Sequence, residues 1–205
     1  KLGEFKDNQR IQLNDSIIQI ENEYYSTIRP KRVCPTGERP INVLNNEGID
    51  YLELRCIDLN PKAFVGISEE QIYFLDLLIL FCLLSDSPDI AESESNELFK
   101  THKIIVNEGR SSEASITTLK GKISVREEAV RILDGMQEIA EFMSEEVSQG
   151  DRKWTDTLTH QKEVINSLDK SLSGSLLEEI QTNDMTLQEY GMKMSLLHKE
   201  HMDNL

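Results

Sequence analysis

Ile49-Asp50-Tyr51-Leu52-Glu53-Leu54-Arg55-Cys56-Ile57-Asp58 alternates apolar and polar residues over most of its length, the pattern of a half-buried β-strand. Side chains two apart share a face of a strand, so Leu52, Leu54 and Cys56 point one way and Tyr51, Glu53 and Arg55 the other. The first set is expected to face the core, which makes Cys56 an inert buried thiol. A carboxylate and a guanidinium two residues apart on a strand lie about 6–7 Å apart, far enough for both to reach one ligand. The same pattern also fits an ordinary ion pair on a solvated sheet face.

A second segment lies upstream: Glu21-Asn22-Glu23-Tyr24-Tyr25-Ser26-Thr27-Ile28-Arg29-Pro30-Lys31-Arg32. It sets carboxylates, phenols and three cations side by side. Pro30 cannot donate to a sheet ladder, so Ile28 to Val33 is expected on an edge. Before it, Arg10 to Leu13, the Asn14-Asp15 turn and the alternating residues up to Tyr25 read as strand, turn and strand.

After Pro35, Gly37 and Pro40, Ile41 to Asn46 is expected to form a short helix, closed by an Asn-Asn-Glu-Gly stop. Asp58-Leu59-Asn60-Pro61 ends the strand, and Ser68 with Gln71 three residues on forms a capping box. The helix it opens, from Glu69 to about Ser85, is apolar nearly all round. Ile72 to Leu84 contains Asp76 and is too short to span a bilayer.

Asp86 to Glu97 reads as an exposed loop and Leu98 to Glu108 as a helix ended by Gly109. Gly109 to Gly121 reads as a loop with one short strand near Ile116. From Ser124 an amphipathic helix carries Val125, Ala129, Ile132, Leu133, Met136, Ile139, Ala140 and Met143 on one face. A further helix is expected from Asp151 to about Leu168, a break at Ser173-Gly174-Ser175, and a last helix from Thr186 with Glu189 at the capping-box spacing. Strands come first and helices after, which favours an α+β class.

Of 205 residues, 37 are acidic and 22 are Lys or Arg, a net charge of −15. That excess argues against nucleic acid or an anionic membrane as partner. Arg29, Lys31, Arg32 and Arg39 are nevertheless clustered, so a local anion site fits the sequence. Three cysteines without CxxC spacing signal neither a disulfide framework nor zinc, and a reducing cytoplasm is expected. His198 and His201 read as solvated imidazoles, and no dinucleotide fingerprint or P-loop is present. The chain opens on Lys1-Leu2-Gly3 with no Met and no signal-peptide pattern, and is expected to begin within a longer gene product.

Taken together, Glu21 to Tyr25, Ile28 to Arg32, Gly48 to Arg55 and Asp58 to Pro61 resemble, in order and spacing, the bacterial glutamate–cysteine ligases. The resemblance is dense from about Leu2 to Leu84. It implies the antiparallel sheet portion of a glutamine synthetase-like fold, 1–66, followed by a mostly helical segment, 67–205, packing on the sheet. It further implies ATP and Mg2+ as cofactors, and glutamate and cysteine as substrates joined through a γ-glutamyl phosphate in the first step of glutathione synthesis.

By the same resemblance, Glu53 is a magnesium ligand, Arg55 a catalytic group at the transferring phosphoryl, and Tyr25 and Arg29 contact substrate. Asn22, Lys31 and Arg32 are nucleotide contacts. A phosphoryl group passing between anions calls for metal and a planar fork of donors, which explains the residue types. Against that resemblance, Lys62 stands where an apolar residue is usual, and the family's N-terminal half is absent; the second departure makes the chain alone expected to be inactive. A non-catalytic helical interaction module, and a ligase using another amine, are the alternatives.

Overall fold

A computed structural model of the protein describes residues 5–6, 9–10, 25–119 and 121–204. The class is α+β, and the chain divides into two compact units, Lys1–Asp58 and Leu59–Leu205.

In the first unit, strands β1 (Phe5–Lys6) and β2 (Gln9–Arg10) pair antiparallel. Most of the expected strand-turn-strand from Arg10 to Tyr25 lies outside the described residues. Strand β3 (Ile28–Lys31) pairs antiparallel with β4 (Tyr51–Leu54), placing Ile28 opposite Leu54, Arg29 opposite Glu53, Pro30 opposite Leu52 and Lys31 opposite Tyr51. The strand is shorter than the 49–58 expected from alternation, but its hydrogen bonding runs one rung further at each end. Asp50 N–H donates to Lys31 O at 2.9 Å, and Arg55 N–H to Thr27 O at 2.9 Å.

Between β3 and β4 lies helix α1 (Pro40–Glu47), with proline in its first turn, where the missing N–H costs nothing. It ends at Gly48, whose φ of 84° is the left-handed conformation that glycine adopts freely, and whose N–H reaches Leu44 O at 2.9 Å.

The two faces of this ribbon depart from the expected pattern. Leu52 is 43 % exposed and Cys56 is exposed, so the apolar face is not a closed core and the thiol is not buried. Arg29, Lys31, Glu53 and Arg55 on the other face are all half-buried.

The second unit is helical apart from one hairpin. Helix α2 (Glu69–Leu84) opens on the expected capping box: Ser68 Oγ accepts from Gln71 N–H, and the Gln71 side chain accepts from Ser68 N–H at 2.9 Å. Helix α3 (Glu92–Glu108) begins well inside the stretch expected to be loop. Its first turn carries Glu92 and Glu94, which suit the positive end of a helix dipole and outweigh the serine-rich composition. Gly109 ends it as expected. The single strand expected near Ile116 is half of a hairpin, β5 (Ser115–Thr118) with β6 (Gly121–Ser124).

The amphipathic run from Ser124 is broken rather than continuous. Helix α4 (Val125–Gly135), capped by Ser124, stops at Met136, and α5 (Gln137–Phe142) passes into a π-turn, Met143–Val147. The break puts Met136 at 0 % exposure in the core with Leu77, Leu133, Ala140, Trp154 and Leu158. Gly135 is part of the same packing, since a Cβ there would run into the Phe81 ring of α2.

Helix α6 (Lys153–Asn166) is followed by a 3-10 turn, Leu168–Lys170, and then by α7 (Leu172–Thr182). Ser171 caps α7, so Ser173-Gly174-Ser175 lies inside a helix and is not a break. Helix α8 (Leu187–Asp203) starts at Thr186 with the expected capping box to Glu189. His198 and His201 are not merely solvated. Both stand edge-on to Phe64, and His198 Nε2 is 2.8 Å from Pro61 O.

Lys62 pairs with Glu179 on α7 at 3.0 Å. Lys62 first, with Lys193 adding, holds the Glu179 carboxyl below its ordinary range.

Candidate functional site

The antiparallel register of β3 and β4 decides which side chains meet. Lys31 and Arg29 alternate onto one face of β3, and Tyr51, Glu53 and Arg55 onto the matching face of β4. Glu53 is the centre. Its Oε1 accepts from Arg55 Nε at 2.8 Å, and its Oε2 lies 3.2 Å from Lys31 Nζ. The 6–7 Å spacing expected along the strand is therefore closed by the side chains themselves, and Glu53 and Arg55 do reach each other.

Hydrogen bonding from Arg55 is the largest influence on the Glu53 carboxyl, with Lys31 acting in the same sense. Together they outweigh the partial burial and hold it below the usual carboxylate range. The hydrogen bond to Glu53 in turn raises Arg55 above its ordinary value. Each partner favours the charged form of the other. Arg55 is also 5.4 Å from the centroid of the Tyr25 ring, so its flat guanidinium links a phenol on one side to a carboxylate on the other. Tyr25 is 70 % exposed, which leaves its hydroxyl accessible.

Tyr25, Lys31, Glu53 and Arg55 thus form one contiguous group, with Arg29 directly across the ladder from Glu53. Counting formal charges, Arg29, Lys31 and Arg55 against Glu53 leave this face at +2. It is an anion-attracting surface on a chain that is strongly acidic overall. Glu53 is the sole carboxylate in that group, and among the described residues no set of three or more His, Cys, Asp or Glu could enclose a metal ion.

Arg32 stands apart. Its Nε donates to Glu47 Oε2 at 3.0 Å and its Nη1 to Glu47 O at 2.9 Å, and it pairs with Asp50 Oδ1 at 2.8 Å. Glu47 and Asp50 were not singled out from sequence, although a helix C-terminus offering bare carbonyls is a standing attraction for a cation. Asn22 lies outside the described residues.

Among the described residues, two clefts of the helical unit can be compared with the β3–β4 face. One, of about 510 Å³, is lined by Gln137, Glu141, Ser144, Glu145, Arg152 and Thr155 among others. The other, of about 350 Å³, includes Glu70 and His160, which are in contact. Neither holds a residue selected from the sequence. The larger places two carboxylates beside one arginine already paired with Asp156, a poor lining for phosphate. The β3–β4 face has the positive charge balance that attracts an anion. No helix among the described residues is long and apolar enough to cross a membrane.

Residues 1–105 match the family model described as glutamate-cysteine ligase. Over 190 residues the chain is 35 % identical to the glutamate–cysteine ligase of Alcanivorax borkumensis, covering 93 % of this chain and 36 % of that protein. With the enzyme of Pseudomonas putida KT2440 the figures are 34 %, 98 % and 38 %. The crystal structure of the Francisella tularensis glutamate–cysteine ligase in complex with AMP superposes with a TM-score of 0.79 at 27 % identity. That superposition covers 94 % of this chain and 37 % of the other. The chain spans little more than a third of the length of these relatives. A paired ribbon bearing Lys31, Glu53 and Arg55 falls inside the matched 1–105 region, and the chain belongs to the glutamate–cysteine ligase family.

Proposed function

We propose that this chain carries one wall of the active site of an ATP-dependent ligase that joins the side-chain carboxylate of glutamate to the amine of cysteine. The observation that carries the reading is the Glu53 carboxylate, held anionic between Lys31 and Arg55 in a region matching the family. AMP in the related crystal structure supports a nucleotide site.

In this reading the terminal phosphoryl of ATP passes to the glutamate side-chain carboxylate and ADP leaves. The cysteine amine then attacks the acyl carbon, phosphate departs with its bonding pair, and the nitrogen loses a proton to give the γ-glutamyl amide. Lys31 meets the nucleotide phosphates. Arg55 stabilises the phosphoryl oxygens during transfer, where its planar donors suit two oxygens at once. Tyr25, backed by Arg55, and Arg29 contact substrate carboxylates, and Asn22 contacts nucleotide.

Glu53 would supply one ligand for Mg2+, an ion commonly bound by one or two carboxylates together with substrate phosphates, once one of its oxygens is released from Lys31 or Arg55. When bound, the ion neutralises phosphate charge. The remaining ligands come from the part of the ligase beyond this chain, which is its partner, so the 205 residues alone are inactive.

The test is ADP release by the complete ligase with Mg-ATP, omitting glutamate and cysteine in turn, for the wild type and for Glu53→Gln. Release requiring both amino acids, and falling about 100-fold or more in Glu53→Gln with an unchanged melting temperature, supports the reading. Release supported equally by another amine moves the substrate assignment, and full activity in Glu53→Gln overturns the role of Glu53.

A further inference from the structure

We infer that Arg32 is a positioning residue, which clamps the C-terminus of α1 and the Gly48–Asp50 link to the end of β3 and so fixes the register on which Glu53 meets Lys31. The inference rests on the ligase reading of the β3–β4 face and replaces a nucleotide contact for this residue.

Arg32 follows Lys31 directly, so strand alternation turns it to the face opposite Lys31. There it holds two backbone carbonyls, Glu47 O at 2.9 Å and Gly48 O at 3.4 Å, and two carboxylates, Glu47 at 3.0 Å and Asp50 at 2.8 Å. The carbonyls belong to the end of α1, where intrahelical partners run out. The Asp50 carboxylate belongs to the residue whose N–H donates to Lys31 O, the rung that begins the β3–β4 ladder. One guanidinium therefore spans helix end, turn and first rung.

The ladder has reason to need it. Among the described residues this ribbon has two strands, and a two-stranded pair is marginal by itself. A slip of one residue would turn every β4 side chain to the other face, carrying Glu53 and Arg55 away from Lys31. The charges point the same way. Arg32 with Glu47 and Asp50 sums to −1, which repels a nucleotide phosphate, whereas the Lys31 face sums to +2.

The experiment uses the complete ligase with wild type, Arg32→Ala, Arg32→Lys, Asp50→Asn and the Arg32→Ala/Asp50→Asn double variant. It measures ADP release against ATP concentration, and deuterium uptake of the segment spanning residues 49–56. Arg32→Ala and Asp50→Asn are both expected to lower kcat by about 10- to 100-fold, the loss that misplacing a reacting group produces, while KM for ATP stays within about twofold. Both should speed exchange across 49–56. The double variant should be no worse than the worse single, because both remove one clamp. Arg32→Lys should recover only part, lacking the fork that reaches carbonyl and carboxylate together.

A rise of about tenfold or more in KM for ATP in Arg32→Ala, with Asp50→Asn like wild type, would mean direct nucleotide contact and overturn the inference. Unchanged kcat and exchange in Asp50→Asn would also overturn it. Asp50→Asn breaks one ion pair only, so it remains informative if Arg32→Ala does not fold. If the wild type releases no ADP with glutamate and cysteine, the ligase reading fails by itself. The exchange measurement still decides whether the clamp exists.

Discussion

Arg55 Nε donates to Glu53 Oε1 at 2.8 Å while Lys31, on the neighbouring strand, takes the other oxygen at 3.2 Å, so one carboxylate is shared by two cations from two strands. Pairing along the strand and pairing across the ladder meet at a single residue. Arg55 is further tied to Tyr25 through its guanidinium plane. A substrate anion arriving at this face would meet cations already oriented, with less side-chain freedom to lose.

The ionisation of Glu53 should report this arrangement. Its folded value is depressed, chiefly by the Arg55 hydrogen bond and then by Lys31. The interaction is therefore fully present above the ordinary carboxylate value and is lost as pH falls through the lower folded value. Followed by carboxyl-carbon NMR, Glu53 should titrate below an unperturbed glutamate. Arg55→Ala should move that midpoint upward. A wild-type midpoint at or above the unperturbed value would show that neither cation holds the carboxylate.

Two glycines in helices should respond to alanine with opposite signs. A Cβ at Gly174 would press on the Asp169 carbonyl, backbone that cannot swing aside, so Gly174→Ala should destabilise by about 1–3 kcal/mol. Gly191, inside α8, has nothing within 4 Å of an added Cβ. Gly191→Ala should stabilise by about 0.5–1 kcal/mol through helix propensity. Urea unfolding of the two variants checks the contrast, and equal signs would contradict the close packing at Gly174.

On α2 the burial of two leucines predicts a similar contrast. Leu77 is 0 % exposed amid Leu133, Met136, Ala140, Trp154 and Leu158, and Leu77→Ala should cost about 2–5 kcal/mol. Leu83, 75 % exposed on the same helix, should change stability by no more than about 0.5 kcal/mol when truncated to alanine. Denaturant midpoints at constant m-value make the comparison.

Much of the local structure was legible because it is specified by neighbours in sequence. Ser68 with Gln71 and Thr186 with Glu189 fix two helix starts through bonds that close within four residues, and Gly48 ends α1 through its own φ. Composition misled where a local preference met a stronger context. The serines from residue 86 to 97 suggested loop, yet acidic residues in the first turn and the run to Ile105 sustain α3 from Glu92. Gly174 suggested a break, yet the cap at Ser171 and the close approach to Asp169 make glycine the residue that the helix there requires.

By itself the sequence determined the strand alternation of Glu53 and Arg55, the cation cluster from Arg29 to Arg32, and the family that these segments mark. It could not rank those cations. Only the tertiary structure separated Lys31, joined to Glu53, from Arg32, joined to Glu47 and Asp50. The reason is physical: alternation assigns a side chain to a face, but its partner is set by strand register and by where a helix happens to end, and both are long-range properties.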